Sequence, residues 1–83
     1  MKAVYFAWVR ERIGLTEEEI SPPVDVRTAG ELVLWLAGRG ENYAHAFENP
    51  GIIRVAIDRC HVKPDASISG AREAAFFPPM TGG

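Results

Sequence analysis

The sequence predicts an α+β fold, in which one principal helix covers one face of a mixed β-sheet. One segment, near residues 29–38, carries the start and stop signals of a helix. Several short segments are rich in the β-branched and aromatic residues that strands prefer. The chain has 83 residues, which suits a single domain. A lone amphipathic helix and a small sheet are expected to pack as two layers.

The first two strands are predicted near the N-terminus. Residues 2–9 are dominated by aromatic and β-branched side chains and predict the first strand. Residues 10–14 predict a turn that is closed by Gly14, and residues 15–20 predict a second strand that pairs back in a hairpin. The three glutamates Glu17–Glu19 predict a solvated edge of the sheet.

The principal helix is predicted from a capping box. Thr28 is expected to cap the helix N-terminus, and Glu31, three residues later, is expected to reach back to it. Apolar residues follow as far as Gly38, which predicts the end of the helix. Residues 41–48 predict a second, short helical segment, and the Asn-Pro-Gly sequence at 49–51 ends it.

Three more strands are predicted in the second half of the chain. Residues 53–57 alternate in the manner of a half-buried strand. Asp58 and Arg59 predict a tight turn into a short strand at 60–62, and residues 73–77 predict the last strand. The first and last strands are both rich in large apolar residues, so we expect them to be parallel neighbours at the centre of the sheet.

These two strands are apolar on both faces, which one covering helix does not explain. Side chains alternate along a strand, so Phe6 and Trp8 are predicted on one face and Tyr5 on the other. Phe77 and Phe76 are divided in the same way in the last strand. The sequence therefore predicts an exposed apolar patch, and such patches usually bind partners.

Composition excludes several classes of partner. The net charge is −2, from 9 basic and 11 acidic residues, and no basic run occurs in the sequence. We therefore expect no binding to nucleic acid. The apolar run near the N-terminus is too short to span a bilayer, so no membrane partner is expected. The one cysteine, Cys60, excludes an intramolecular disulfide and fits a reducing, cytoplasmic location.

The side chains that most often carry chemistry do not form a complete active site in the sequence. His45 and His61 have no Cys, Asp or Glu at a metal-ligand spacing, so no metal site is predicted. Cys60 and His61 are adjacent on a strand and are expected to point to opposite faces. Cys60 is therefore interpreted as a buried or half-buried structural thiol. A Gly-rich phosphate loop is also lacking.

The C-terminal sequence offers a different kind of reactive group. Residues 1–77 are predicted to form the domain, and residues 78–83 are predicted to form a flexible tail that ends in Gly82 and Gly83. Glycine has no Cβ, so such a tip can enter a narrow channel and leaves its main-chain carboxylate open to attack. Two prolines favour a semi-rigid, extended arm, and six extended residues reach roughly 20 Å.

The two ends of the chain resemble a known family. The last residues, Ala-Phe-Phe-Pro-Pro-Met-Thr-Gly-Gly at 75–83, resemble the C-terminus of the MoaD-type sulfur carriers, the small subunits of molybdopterin synthase. The segment Val-Tyr-Phe-Ala-Trp-Val-Arg-Glu at 4–11 is similar to that family too. The resemblance covers essentially the whole chain and implies a β-grasp (ubiquitin-like) roll with the predicted β-β-α-β-β-β order.

The resemblance implies a function for the main-chain carboxylate of Gly83. An adenylating enzyme of the MoeB type, similar to ubiquitin-activating enzymes, would use ATP to adenylate this carboxylate, and a sulfur donor would convert it to a thiocarboxylate. The chain itself would bind no cofactor and would be a non-catalytic sulfur-donor subunit of a heteromeric sulfurtransferase. Sulfur would pass to cyclic pyranopterin monophosphate in molybdenum cofactor biosynthesis.

The resemblance also implies which residues meet the partners. The tail is expected to insert into the active site of the large synthase subunit (MoaE type) within a heterotetramer, and its inserted residues would be Pro78, Pro79, Met80, Thr81 and Gly82. A sheet face carrying Phe6, His61 and Phe77 is expected to dock on the large subunit and on the adenylating enzyme. A large apolar residue would be expected at position 61, so His61 departs from the family pattern.

Three other functions stay open at this point. The chain could be a sulfur carrier for another pathway, such as thiamine or an amino acid, although the aromatic, proline-rich lead-in argues against the thiamine carrier. It could be a ubiquitin-like modifier, in which Gly83 forms an isopeptide bond with lysine. It could also be an interaction module, in which the Gly-Gly ending is incidental.

Overall fold

A five-stranded mixed sheet forms one layer of the molecule, and helices form the other. The computed structural model describes residues 1–79. The strands are β1 (Lys2–Tyr5), β2 (Glu17–Glu19), β3 (Arg54–Ile57), β4 (Cys60–Val62) and β5 (Glu73–Phe77). The helices are α1 (Ala7–Ile13), α2 (Ala29–Ala37) and α3 (Glu41–Ala46), with a short 3-10 helix at Pro50–Ile52. No helix within residues 1–79 is long and apolar enough to cross a membrane.

The strand order across the sheet is β2-β1-β5-β3-β4. Strands β1 and β5 are parallel and occupy the centre, whereas the other neighbouring pairs are antiparallel. This arrangement confirms the predicted mixed sheet and the parallel pairing of the first and last strands. It places the end of β5, from which the C-terminal tail departs, in the middle of the sheet.

The first strand is shorter than the sequence predicted. Strand β1 ends at Tyr5, and the chain then bends at Ala7, whose φ is +52°. The next residues form α1 instead of more strand and a turn, so both predictions for residues 6–13 were wrong. Gly14, with φ +91°, ends the helix. The predicted pairing of the first two strands is confirmed, but a helix connects them.

Spacing explains why α1 is a helix. Val9 and Ile13, four residues apart, are both buried in the core. Trp8 and Arg12 repeat that spacing, and the Arg12 guanidinium lies 4.3 Å from the centre of the Trp8 ring. Positions i and i+4 share one face of a helix. A strand would also place Glu11 on the face of Val9 and Ile13, but Glu11 is exposed. The aromatic content of the segment favoured a strand, while its periodicity favoured a helix.

Helix α2 begins with the predicted capping box. The Thr28 hydroxyl accepts a hydrogen bond from the Glu31 backbone N–H at 3.2 Å, and the Glu31 carboxylate accepts one from the Thr28 N–H at 3.0 Å. The helix ends at Ala37, one residue before the predicted end. Its buried face consists of Ala29, Leu32, Val33 and Leu36. Helix α2 is therefore the principal helix that the sequence predicted.

The other helices lie on the same face of the sheet as α2. The predicted second segment, at 41–48, is observed as the shorter α3. Helix α1 packs on α3, and both contribute buried residues to one core. The prediction of one helix on that face was incomplete, because three helices cover it. The largest fully buried side chains of the core are Tyr5, Phe47, Phe76, Leu32, Leu36 and Val9.

The predicted turn between β3 and β4 is confirmed. Asp58 and Arg59 have φ values of +46° and +71°, and these left-handed residues form a two-residue hairpin loop. The Asp58 carboxylate accepts hydrogen bonds from the backbone N–H groups of Arg72 and Glu73, each at 3.0 Å. The turn is therefore joined to the start of β5.

Cys60 does not occupy the environment that the sequence predicted. Its side chain is exposed, so the interpretation as a buried or half-buried thiol was wrong. The physical reason is its position in β4, which is an edge strand of three residues directly after the turn.

Candidate functional site

The face of the sheet opposite the helices carries the candidate site, which we call the open face. Val4, Ala56 and Ala75 lie on it, because they alternate with the core-facing residues of β1, β3 and β5. Ala56 and Ala75 are buried although neither belongs to the core cluster. Larger neighbours surround these small residues and form a shallow hollow of about 380 Å³.

Three rings meet at one end of this hollow, and we call them the aromatic cluster: Phe6, His61 and Phe77. The Phe6 and Phe77 rings are stacked, with centroids 4.5 Å apart and an interplanar angle of 6°. The His61 ring lies beside the Phe77 ring, with the two centroids 5.4 Å apart. The structure thus brings together the three residues that the sequence predicted for the partner interface. Their role in docking stays a prediction.

Strand register explains how residues so far apart in the sequence meet. In the parallel pair, Tyr5 lies opposite Phe76, and the Phe6 N–H donates to the Phe76 carbonyl at 3.1 Å. The next residues of the two segments, Phe6 after β1 and Phe77 in β5, therefore lie side by side. On the other side, His61 lies opposite Ala56 in the β3–β4 pair, which places its ring on the open face.

Apolar surface remains exposed at the cluster. Phe6 is 39% exposed, although its ring stacks on that of Phe77. Trp8, which was predicted on this face, lies on α1 and packs partly against the core instead. The predicted patch therefore exists, but Phe6, Phe77 and the floor of the hollow form it.

Charged side chains lie at both ends of the open face. At the start of β1 the Lys2 ammonium lies 3.6 Å from the Glu17 carboxylate and 4.0 Å from that of Glu73. Arg54 lies directly opposite Phe77 in the sheet register. Arg59 belongs to the turn that is joined to the start of β5 and lines the hollow at the Glu73 end, away from the cluster. Sequence reasoning did not select these arginines, although the alternation of residues 53–57 places Arg54 on the face that Phe77 occupies.

The tail leaves the sheet at the aromatic cluster. Pro78 and Pro79 follow Phe77 and are half-buried. Pro79 lines a groove together with Arg54 and His61. Of the residues predicted to insert into a partner, these two prolines are described. The other predicted residues, Met80, Thr81, Gly82 and Gly83, lie outside the described part of the chain.

A carboxylate on the other face of the sheet was not found by sequence reasoning. Glu18 accepts hydrogen bonds from the Tyr5 hydroxyl at 2.7 Å and from the Tyr43 hydroxyl at 2.6 Å. The Arg39 guanidinium lies 3.4 Å from the same carboxylate, whose side chain is 17% exposed. The interpretation of all three glutamates as a solvated edge was therefore wrong for Glu18.

The surroundings of Glu18 keep it charged. Burial opposes the charge, but the hydrogen bonds from Tyr43 and Tyr5 and the charge of Arg39 outweigh it, so the pKa of Glu18 lies below its usual 4.5. Burial and the hydrogen bonds to this carboxylate raise the pKa values of Tyr5 and Tyr43. The group is a structural link between the β2 edge, β1 and α3, because it joins residues of all three.

Other clusters that could carry chemistry were sought among residues 1–79. In that range, no group of three or more His, Cys, Asp or Glu side chains is placed to bind a metal ion. Within this range, the aromatic cluster at the start of the tail is the candidate site that the sequence predicted.

Comparison with curated proteins shows relatives of almost the same length. The chain is 34% identical to the molybdopterin synthase sulfur carrier subunit of Escherichia coli over 83 residues, which is 100% of this chain and 99% of that protein. It is also 34% identical to the protein of the same name from Haemophilus influenzae, with the same coverage.

Solved structures show the same fold. A Pyrococcus furiosus structure described as molybdopterin converting factor, subunit 1, matches with a TM-score of 0.73 and 25% identity over 95% of each chain. The crystal structure of SAMP1 from Haloferax volcanii matches with a TM-score of 0.72 and 22% identity, over 100% of this chain and 98% of that one. The β-grasp (ubiquitin-like) prediction is confirmed. The ThiS family profile matches residues 3–83, and with the full-length relatives it shows that the chain belongs to the ThiS family.

Proposed function

We propose that this chain is the sulfur carrier subunit of a molybdopterin synthase. The observation that carries the proposal is the aromatic cluster, which presents an exposed apolar surface where the Gly-Gly tail begins. Full-length similarity to two sulfur carrier subunits supports it. In this account the sheet docks on a partner and the tail delivers its terminal group into that partner.

The reactive group of the proposal is the main-chain carboxylate of Gly83. A carboxylate is a poor acyl donor, so it must first gain a better leaving group. One of its oxygens attacks the α-phosphorus of ATP on a MoeB-type adenylating enzyme, and pyrophosphate leaves. Sulfur at the oxidation level of hydrosulfide (HS⁻), supplied by a sulfur donor, then attacks the acyl carbon and AMP leaves, which produces the thiocarboxylate.

Delivery of sulfur takes place on a second protein in the proposal. The loaded tail enters the large synthase subunit (MoaE type), and its sulfur forms a bond to a carbon of cyclic pyranopterin monophosphate, from which an oxygen substituent leaves. Water then cleaves the bond between that sulfur and the Gly83 acyl carbon, which restores the carboxylate. Two such transfers supply the dithiolene sulfurs, and each synthase heterotetramer uses the carrier as a reloadable subunit.

The described residues suit this role in two ways. Pro78 and Pro79 restrict the backbone at the start of the arm, which lowers the ordering cost when the arm is bound. The stacked rings of Phe6 and Phe77 form a preorganised contact surface, and aromatic side chains commonly dominate the binding energy of an interface.

Replacement of Phe77 tests the proposed docking surface. We expect Phe77→Ala to weaken binding to the large synthase subunit about 30-fold, because it removes a central ring worth roughly 2 kcal/mol or more. Isothermal titration calorimetry with the purified large subunit would measure the dissociation constant.

A matched control is available on the other side of the molecule. Leu34 lies on α2 and is 60% exposed, so Leu34→Ala removes a large apolar side chain away from the open face and should leave the affinity unchanged. Equal affinities of Phe77→Ala and the wild type would contradict the docking surface. Absence of binding by the wild type would instead favour a carrier for another pathway.

A further inference from the structure

A groove at the end of the β3–β4 hairpin lies directly beside the start of the tail. It has a volume of about 560 Å³, and Pro79 forms part of its wall. Strand register explains this position. Arg54, at the start of β3, lies opposite Phe77, so the residues after Phe77 pass alongside the segment that precedes β3. The tail therefore leaves the described part of the chain at the groove itself, to which the proposed function assigns no role.

Part of this groove is apolar. Ile52 lines it and is 40% exposed, and Ile53 and Val62 line it too. Through lining residues that the two hollows share, the groove continues into a smaller hollow of about 230 Å³ between the hairpin and α2. Leu34, which is 60% exposed, lines this second hollow. Exposed apolar side chains in a concave surface favour an apolar occupant.

The groove also carries two neighbouring positive charges. Val55 lies opposite Val62 in the β3–β4 pair, so the next residues, Arg54 and Lys63, are neighbours across the hairpin. Both are exposed and both line the groove. Within residues 1–79, no salt bridge includes either side chain. Asp65 follows Lys63 in the next turn but does not line the groove. Like charges opposite each other are destabilising, so an anion bound between them would stabilise the hairpin.

The last four residues of the chain match both parts of the groove. Met80, directly after Pro79, supplies an unbranched apolar side chain, and such side chains adapt to irregular apolar surfaces. Gly83 supplies the C-terminal carboxylate. Four residues span at most about 14 Å, so this anion stays close to the groove that begins at Pro79. The tail thus has an apolar group followed by an anion, which is the chemistry that the groove favours.

We propose that residues 80–83 bind in this groove of their own chain when no partner is present. Met80 packs against Ile52 and Val62, and the Gly83 carboxylate pairs with Arg54 and Lys63. The tether holds the tail at a high effective concentration near the groove, so binding does not depend on protein concentration. A partner that receives the tail competes with the groove, and its apparent affinity is reduced by the fraction of chains whose tail is free.

Labelled methionine methyl groups test the apolar contact. The chain contains two methionines, Met1 and Met80, so selective ¹³C labelling of their methyl groups gives two NMR signals, and Met80→Ala identifies the second. In the isolated full-length chain we expect nuclear Overhauser contacts from the Met80 methyl group to the methyl groups of Ile52 and Val62. Met1 packs against the core, so its contacts provide an internal reference. Absence of the Met80 contacts would overturn the proposal.

Charge reversal tests the ionic contact. Lys63→Glu places a carboxylate beside the binding position of the Gly83 carboxylate, so the bound population relative to the free one should fall about fivefold. The Met80 contacts should weaken accordingly, and Arg54→Gln should weaken them about threefold. Met80 contacts of unchanged intensity in both variants would overturn the pairing of the carboxylate with these two side chains.

A matched control lies at the other end of the same hairpin. Arg59 belongs to the turn between β3 and β4 and lies near Glu73, so Arg59→Glu changes the net charge by the same amount as Lys63→Glu. It should leave the Met80 contacts at wild-type intensity, and an equal weakening would show an effect of net charge instead of a bound carboxylate. Circular dichroism and the melting temperature would verify that each variant is folded.

These tests are independent of the proposed function, because they use the isolated chain without an adenylating enzyme or a synthase subunit. Loss of the predicted contacts would overturn the bound tail and leave the carrier function intact. A chain that shows the contacts but gains no sulfur at Gly83 would keep this inference and overturn the proposed function.

Discussion

Deletion of Gly82 and Gly83 is expected to abolish sulfur transfer without lowering the stability of the domain. The reactive carboxylate is lost with these residues, so formation of molybdopterin in a reconstituted assay should fall to background. The buried hydrophobic residues of the described core lie between Ala3 and Phe76, so the melting temperature should stay unchanged. Binding to the large subunit should persist, because the aromatic cluster is intact.

Gly83→Ala provides a graded version of this test. It keeps a terminal carboxylate but adds a methyl group beside the acyl carbon, so loading or transfer should slow while folding is unaffected. Full activity of the deletion variant would show that the Gly-Gly ending is incidental, as expected for an interaction module. A marked fall in melting temperature would contradict the division between the domain and its tail.

Glu18→Ala is expected to lower the stability of the domain strongly, although Glu18 is a charged residue on a short edge strand. Two tyrosine hydroxyls would lose their acceptor, and the Tyr5 side chain is 1% exposed, so water cannot easily replace it. An unsatisfied buried donor costs roughly 1–3 kcal/mol, and the contact with Arg39 would be lost as well. We expect the free energy of unfolding to fall by about 3 kcal/mol, as measured by urea denaturation.

The Glu18 contribution should depend on pH in a defined direction. Its pKa in the folded protein lies below the usual 4.5, so the unfolded chain takes up the proton more readily. The stabilisation is therefore complete well above pH 4.5 and is lost as the pH falls through the folded pKa.

Glu18→Gln is the matched variant, because it keeps an oxygen acceptor without the charge. The difference in unfolding free energy between wild type and this variant should shrink as the pH falls from above 4.5 through the lower pKa of folded Glu18. A difference that is constant over this interval would contradict the charged state of Glu18. The binding affinity at neutral pH should be similar for both, since Glu18 lies on the helix side of the sheet.

Local patterns were enough to predict the features that local interactions determine. The capping box at Thr28 and Glu31 and the turn at Asp58 and Arg59 follow from short-range chemistry, and both occur as predicted. The parallel centre of the sheet could be predicted because both strands carry large apolar residues on two faces. The capping box and the turn need no knowledge of distant contacts, and the pairing of the two strands was inferred from their shared composition.

The failures came from competition between local preference and tertiary packing. Aromatic residues at 5–8 favoured a strand, but the spacing of Val9 and Ile13 puts them on one buried face of α1. Glu18 looked like part of a solvated edge, since its acceptor role depends on Tyr43, which is distant in the sequence. The spacing of Val9 and Ile13 was present in the sequence but was outweighed by the aromatic content, whereas no short window of sequence contains the contact between Glu18 and Tyr43.

Part of the candidate site could be predicted from the sequence, and part could not. Phe6, His61 and Phe77 were selected from the family resemblance, and the fold brings their rings together. Arg54 was missed, because an arginine in an alternating strand gives no sign of what lies across the sheet. Register, which places Arg54 opposite Phe77, is the information that the sequence lacked.

The most direct test of the account is the intact mass of the protein after loading. The purified chain would be incubated with ATP, the adenylating enzyme and a sulfur source, and then analysed by mass spectrometry. Replacement of one carboxylate oxygen of Gly83 by sulfur through acyl activation should add about 16 Da, and omission of ATP should prevent the change. An unchanged mass in the complete reaction would contradict the proposal that this chain is a sulfur carrier.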